Sequence, residues 1–149
     1  MMKVLYFAYG SNMLITRLRS RISSAKLIDI GFLNGYKVLF NKCSKDGSGK
    51  ANLIESPGDV TWGVIYEIDE QDTNKLDIFE GGYNREIFQI CNKENIAVSA
   101  FVYLSSDLTN DERAYEWYKE IILKGARENN LPKNYISYLE KLPSKVNGI

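Results

Sequence analysis

The segment LYFAYGSNM, residues 5–13, constrains the fold more than any other part of the chain. Val4 to Tyr9 have the apolar character of a buried strand, and an apolar residue then recurs at every fourth position from Leu14 to Ile22. The strand pattern therefore gives way to a helical pattern within a few residues. We expect a small polar loop at this junction, with Ser11 or Asn12 capping the helix.

The rest of the chain alternates predicted strands and helices without a linker or a repeat, which is typical of one globular domain spanning residues 1–149. Asn34-Gly35 is either a hairpin turn or an irregularity within one longer strand, and the sequence does not decide between them. Ser56 to Asp59 are predicted to form a turn. Strands are predicted at residues 26–33, 36–40, 51–55, 60–68, 86–92 and 96–104, and helices from a cap at Asp69 to Gly81-Gly82, from Glu112 to Glu128, and through Tyr135, Leu139 and Leu142.

The charge balance argues against two classes of partner. Nineteen basic and nineteen acidic side chains cancel, so no overall field attracts nucleic acid or an anionic membrane surface. The basic stretch from Arg17 to Lys26 is interpreted as a solvated helix face. No apolar run approaches the roughly 20 residues of a membrane span, and no signal peptide is recognised, so we expect a cytoplasmic protein.

Histidine is absent from the sequence, which restricts the possible chemistry. Ser-His-Asp and Cys-His nucleophiles and His-based zinc sites are excluded, and proton transfer falls to a carboxylate, Lys, Tyr, Cys or the substrate. Cys43 and Cys91 are too far apart in sequence for a C-x-x-C pair, and we expect reduced, packed side chains. No metal or cofactor is expected.

Two features stand out as candidate functional sites. The loop Tyr9-Gly10-Ser11-Asn12 presents successive backbone N–H groups that are suited to a carboxylate or an oxyanion, and Gly10 allows a ligand to approach the main chain. Glu80, in LDIFEGGYNR, follows a predicted helix beside apolar residues. Burial and the negative end of the helix dipole would both raise its pKa, as a general base requires.

The combination of motifs resembles the gamma-glutamylcyclotransferase family over nearly the whole chain, in order. The similar segments are YFAYGSNM, SPGDVTWGVIYEI, LDIFEGGY, FVYL and YKEIILKGARENNLP. Asn12 makes the chain more similar to the branch that acts on gamma-glutamyl amino acids than to the glutathione-specific branch, which has Leu in this loop. The segment between Glu80 and Tyr83 is shorter than in vertebrate-type members.

The resemblance implies an α+β fold, with a small mixed barrel-like sheet and flanking helices. It assigns general acid/base catalysis to Glu80 and substrate binding to the loop, and we include three aromatic residues in the predicted pocket. The predicted substrate-binding residues are Tyr9, Gly10, Ser11, Asn12, Tyr83, Tyr103 and Tyr118.

The implied reaction is the cyclisation of a small gamma-glutamyl amino acid to 5-oxoproline, in which the substrate's own α-amine is the nucleophile. This reaction needs no histidine, metal or cofactor. Two alternatives stay open: a cyclotransferase acting on gamma-glutamylated amines, and a non-catalytic module that binds a gamma-glutamyl metabolite. A homodimer is compatible with the sequence, which does not determine the oligomeric state.

Overall fold

The computed structural model describes residues 2–146, within which seven β-strands and four α-helices are formed. The elements, in chain order, are β1 (Lys3–Ala8), α1 (Ile15–Arg21), β2 (Lys26–Cys43), β3 (Gly49–Asp69), α2 (Thr73–Phe79), β4 (Asn84–Asn92), β5 (Ala97–Leu104), β6 (Ala114–Tyr115), α3 (Glu116–Glu128), α4 (Lys133–Lys141) and β7 (Ser144–Lys145).

Five strands close into a barrel in the order β1-β3-β2-β4-β5. The pairs are antiparallel except for β1 and β5, which run parallel where Tyr6 lies beside Phe101. Closure matters because it leaves these strands without a free edge on which another chain could pair. The short strands β6 and β7 form a separate parallel pair. The prediction of an α+β fold with a small mixed barrel and flanking helices is confirmed.

The pairing of β2 with β3 shows that Asn34-Gly35 is an irregularity within one strand and not a hairpin turn. β2 is one continuous strand with an irregularity in its pairing between Asn34 and Tyr36, and Gly35 takes a φ of +84°, which only glycine adopts readily. Across from it, the pairing of β3 is interrupted between Glu55 and Val60. The predicted turn at residues 56–59 is therefore a bulged section within β3 rather than a connection between two strands.

The predictions of helix starts were wrong in three places. A 3-10 turn at Ser11–Met13 comes before α1, and neither Ser11 nor Asn12 caps that helix through its side chain. The side chain of Asp69 makes no cap bond either, because its carboxylate accepts a hydrogen bond from Lys3 of the neighbouring strand β1. The long C-terminal helix begins at Glu116 rather than near Glu112, because Ala114–Tyr115 pair with β7 as strand.

Helix α3 supports the loop that follows β1. A β-carbon at Gly125 would lie 2.7 Å from the backbone nitrogen of Leu14 and 2.7 Å from the carbonyl carbon of Met13, so only glycine permits this close approach. Asn129 Nδ2 donates to the Met13 carbonyl at 3.0 Å. Helix α3 and Asn129, which follows it, thus hold a loop that lies more than 100 residues earlier in the chain.

The structure also bears on the predictions about membrane spans, cysteines and metal sites. No helix within residues 2–146 combines the length and apolar character that crossing a membrane requires. Cys43 and Cys91 are free, partly buried thiols. Within the same residues, no group of three or more Cys, Asp and Glu side chains is placed to hold a metal ion.

Candidate active site

The predicted site residues converge on one cleft, which lies beyond the C-terminal ends of β1 and β5. The loop after β1 forms one side, and the segment between α2 and β4 forms the other. The cleft is lined by Tyr6, Tyr9, Gly10, Ser11, Asn12, Ala51, Glu80, Tyr83, Tyr103 and Tyr118. Every residue that the sequence assigned to the site is therefore present in a single place.

Glu80 is held in this cleft by Asn12. The Asn12 amide Nδ2 donates to Glu80 Oε1 at 2.8 Å and also contacts the Tyr6 hydroxyl at 3.1 Å. Glu80 itself immediately follows α2, and its backbone N–H closes the last turn of that helix on Leu76. The carboxylate is thus fixed from both sides, by its own helix and by the loop after β1.

The side chain of Asn12 is buried, with 3% of its surface exposed. Its backbone is fixed by the Tyr66 hydroxyl, which donates to the Asn12 carbonyl at 2.8 Å. Its side-chain oxygen Oδ1, however, has no hydrogen-bond partner within residues 2–146. Because a buried acceptor without a partner is unfavourable, this oxygen is suited to receive a donor from a ligand.

Tyrosine side chains form most of the walls and are tied to the main chain. The Tyr9 hydroxyl donates to the Tyr103 carbonyl at 2.5 Å, and the Tyr83 hydroxyl donates to the Ala51 carbonyl at 2.6 Å. The Tyr118 hydroxyl accepts the Ala51 N–H at 3.2 Å. These bonds hold rigid aromatic surfaces around the cleft.

Tyr103 is placed differently from the other tyrosines, because its ring lines the cleft while its hydroxyl donates to Asp77 Oδ1 at 2.6 Å. Tyr83 also lines the cleft, although only two residues separate it from Glu80.

The surroundings of Glu80 shift its protonation equilibrium towards the neutral acid. Burial raises the pKa of its carboxyl above the ordinary value, although Arg21, Arg17 and the bond from Asn12 act in the opposite direction. Burial also raises the pKa of Tyr118 to about 12 and places the pKa values of Tyr6 and Tyr83 well above their usual range. These tyrosines stay neutral near pH 7, and Glu80 supplies the carboxyl group that lines the cleft.

The loop itself offers main-chain donors. The structure shows no acceptor within residues 2–146 for the backbone N–H groups of Gly10, Ser11 and Asn12. A β-carbon at Gly10 would lie 3.2 Å from the β-carbon of Ala51, so the absence of a side chain keeps this part of the cleft open. Three adjacent N–H groups are suited to bind a carboxylate or a developing oxyanion.

Sequence reasoning missed two residues of the cleft, Tyr6 and Ala51. Tyr6 carried a usable signal, because a tyrosine within a buried strand needs a partner for its hydroxyl. Ala51 carried no such signal, since only its backbone carbonyl and N–H bond to Tyr83 and Tyr118.

A closed barrel with one carboxyl group of raised pKa beside a loop of free backbone donors is an arrangement suited to an enzyme site with acid–base chemistry. The sequence profile of the AIG2-like family matches residues 60–139. The chain is 35% identical to the gamma-glutamylcyclotransferase of Homo sapiens, over 93% of this chain and 76% of that protein. It is 32% identical to the protein of the same name from Mus musculus, over 97% of this chain and 81% of that protein.

Solved structures show the same relationship. A structure described as gamma-glutamyl cyclotransferase superposes with a TM-score of 0.89 at 30% identity, covering 99% of this chain and 91% of that one. A yeast gamma-glutamyl cyclotransferase described as specific to glutathione shares the fold, with a TM-score of 0.66 at 14% identity over 92% of this chain and 93% of that one. The chain belongs to the gamma-glutamylcyclotransferase family of enzymes, and we do not retain the alternative of a non-catalytic binding module.

Proposed function

We propose that the protein cyclises gamma-glutamyl amino acids to 5-oxoproline and releases the free amino acid, with Glu80 as general acid and base. One observation carries this proposal: the Glu80 carboxylate, with a raised pKa, is held 2.8 Å from Asn12 Nδ2 at the edge of a cleft lined by the loop from Tyr9 to Asn12. Family membership supports gamma-glutamyl cyclisation in general, and the geometry supports the role of Glu80.

The reaction transfers one acyl group within the substrate. The α-ammonium first loses a proton to Glu80, and the resulting amine attacks the gamma-carbonyl carbon to form a new C–N bond. Protonated Glu80 gives its proton to the leaving nitrogen, and the tetrahedral intermediate collapses as the bond to that nitrogen breaks. The ring nitrogen still carries two protons; it loses one to the Glu80 carboxylate, and this proton passes to the released amine to give its ammonium form. No water is consumed, and Glu80 ends in the state in which it began.

The protein contributes chiefly by positioning. In water the gamma-glutamyl chain is flexible, and folding it into the attacking geometry can contribute about 7–11 kcal/mol to lowering the barrier. The Asn12 Oδ1 oxygen, which has no partner among the described residues, would accept a hydrogen bond from the substrate's α-ammonium. The N–H groups of Gly10, Ser11 and Asn12 would bind the α-carboxylate or the oxyanion of the intermediate.

Isotopic labelling distinguishes this reaction from hydrolysis. In oxygen-18 water, cyclisation yields unlabelled 5-oxoproline, whereas hydrolysis places the label in the gamma-carboxylate of free glutamate. An Nα-acetyl gamma-glutamyl amide is expected to release no amine, because an amide nitrogen is a poor nucleophile. Labelled glutamate as the first product would overturn the mechanism.

The same assay tests the choice of leaving group. Gamma-glutamylated amines are the second candidate substrates, since their glutamyl part is identical. Comparing gamma-glutamyl-alanine with gamma-glutamyl-ethylamine at equal concentrations separates the two. We expect the amino-acid substrate to be preferred.

A further inference from the structure

Cationic side chains lie around Glu80. Arg17, Arg21 and Lys42 all lie close enough to Glu80 to favour its ionised form, and Lys50 lies close enough to Arg17 and Lys42 to be repelled by both. Arg17 Nε is bonded to Ser11 Oγ at 3.1 Å, on the loop side. Positive charge is thus concentrated around a single carboxylate of the cleft.

Two of these cations, Lys42 and Lys50, each lie against a tyrosine ring that lines the cleft. Lys42 Nζ lies 5.2 Å from the centre of the Tyr83 ring, and Lys50 Nζ lies 4.3 Å from the centre of the Tyr118 ring. These are the two tyrosines that bond to the backbone of Ala51. Each ammonium therefore rests on an aromatic wall of the cleft, where a cation is stabilised by the ring face.

The lysines differ in how their charges are balanced. Lys50 forms an ion pair with Asp46 at 3.3 Å. Lys42 is more deeply buried, with 8% of its surface exposed, yet it has no carboxylate partner within residues 2–146. An ammonium that lacks a carboxylate partner is available to bind an anionic ligand.

The position of Lys42 matches one particular part of the substrate. A β-carbon at Gly82 would lie 2.6 Å from Lys42 Nζ, so the ammonium lies against the segment that joins Glu80 to Tyr83. The leaving nitrogen must lie near Glu80, because Glu80 protonates it. In an amino-acid leaving group, the carboxylate is separated from that nitrogen by a single carbon, which places it on the same side of the cleft.

We propose that Lys42 binds the carboxylate of the leaving amino acid and is the residue that selects gamma-glutamyl amino acids over gamma-glutamylated amines. This inference rests on the function proposed above. The two substrate classes share the glutamyl part and differ in this carboxylate, so a cation at this point affects one class and not the other. A hydrogen bond to a charged group is among the stronger ones in proteins, which makes the preference large enough to measure.

The experiment compares two substrates on three proteins. For the wild type, kcat/KM for gamma-glutamyl-alanine should exceed that for gamma-glutamyl-ethylamine by about 10- to 100-fold. In the Lys42→Met variant, KM for the alanine substrate should rise by a similar factor, while KM for the ethylamine substrate stays within about twofold of the wild type. Any change in kcat that comes from the lost charge near Glu80 should affect both substrates equally. The Lys42→Arg variant should recover most of the preference, because it restores the charge.

Lys50→Met is the matched control, since it removes an ammonium that lies beside Tyr118 and already has a carboxylate partner. It should leave the ratio of the two substrates nearly unchanged. Melting temperatures check that each variant is folded.

The outcomes separate the two proposals. A wild type that releases 5-oxoproline from both substrates with equal efficiency overturns the assignment of Lys42 and leaves the cyclisation intact. A loss of preference in Lys50→Met but not in Lys42→Met has the same meaning. A wild type that forms 5-oxoproline from neither substrate overturns the proposed function, and the assignment of Lys42 with it.

Discussion

Two buried asparagines, Asn12 beside the cleft and Asn52 within the barrel wall, show how the same side chain serves different ends. Asn52 is fully buried, and both ends of its amide are satisfied. Its Nδ2 donates to Asn41 Oδ1 at 3.1 Å and to the Ser105 carbonyl at 2.9 Å, while its Oδ1 accepts the Ser105 N–H at 2.9 Å. Asn52 thereby ties β3 to the end of β5.

Asn12 is nearly as buried, but only its nitrogen is satisfied. Its partner on that side is Glu80, which changes protonation during the proposed reaction. The comparison indicates that completeness of hydrogen bonding, rather than burial, distinguishes a structural asparagine from one prepared for a ligand.

The largest effect is expected from Glu80→Gln. The side chain keeps its size and an oxygen that can accept the bond from Asn12, but it no longer takes up a proton. Turnover should fall by about 10²- to 10⁴-fold while the far-ultraviolet circular dichroism spectrum stays unchanged. Measured release of 5-oxoproline near the wild-type rate would remove Glu80 from the mechanism.

Asn52→Ala is expected to destabilise the fold and leave the chemistry intact. Truncation leaves Asn41 Oδ1 and the two backbone groups of Ser105 without this partner. The free energy of unfolding should fall by about 2–4 kcal/mol, measured by urea denaturation. Turnover per folded molecule should stay within about twofold, and a large loss of turnover would contradict the structural role.

Asn12→Ala is expected to reduce catalysis more than stability, the reverse of Asn52→Ala. Glu80 loses the donor that positions it, so kcat should fall by about 10- to 100-fold. The bond from Asn12 also holds the pKa of Glu80 down, so the acid limb of the pH–rate profile should move to higher pH. An unchanged acid limb would mean that Asn12 acts only through the fold.

The smallest effect concerns the stability of Glu80→Gln as a function of pH. The pKa of Glu80 is higher in the folded protein than in the unfolded chain, so its contribution to stability is lost as pH rises through the folded value. The variant lacks this loss and should melt slightly above the wild type at pH 8. The difference should shrink as pH falls from the folded pKa towards about 4.3, the pKa of an unfolded glutamate, and should be absent below it. A variant that is less stable at pH 8 would contradict the direction of the shift.

Much of the fold followed from local patterns. The strands and helices were predicted from hydrophobic spacing, because a buried strand or helix face must repeat every two or about every four residues. The errors occurred where a distant partner decides the outcome: Lys3 occupies the carboxylate that was expected to cap a helix at Asp69, and β7 holds Ala114–Tyr115 as strand.

For the site, the sequence by itself determined which residue types were available and, through short motifs, which segments carry them. The absence of histidine and the pattern around Glu80 by themselves limit the possible chemistry. The tertiary structure decided the pairings, because Asn12 and Glu80 are 68 residues apart and meet only when the barrel closes. The same holds for Lys42, whose charge is visible in the sequence, while its burial beside Tyr83 without a carboxylate partner within residues 2–146 arises from how β2 packs against the segment after α2.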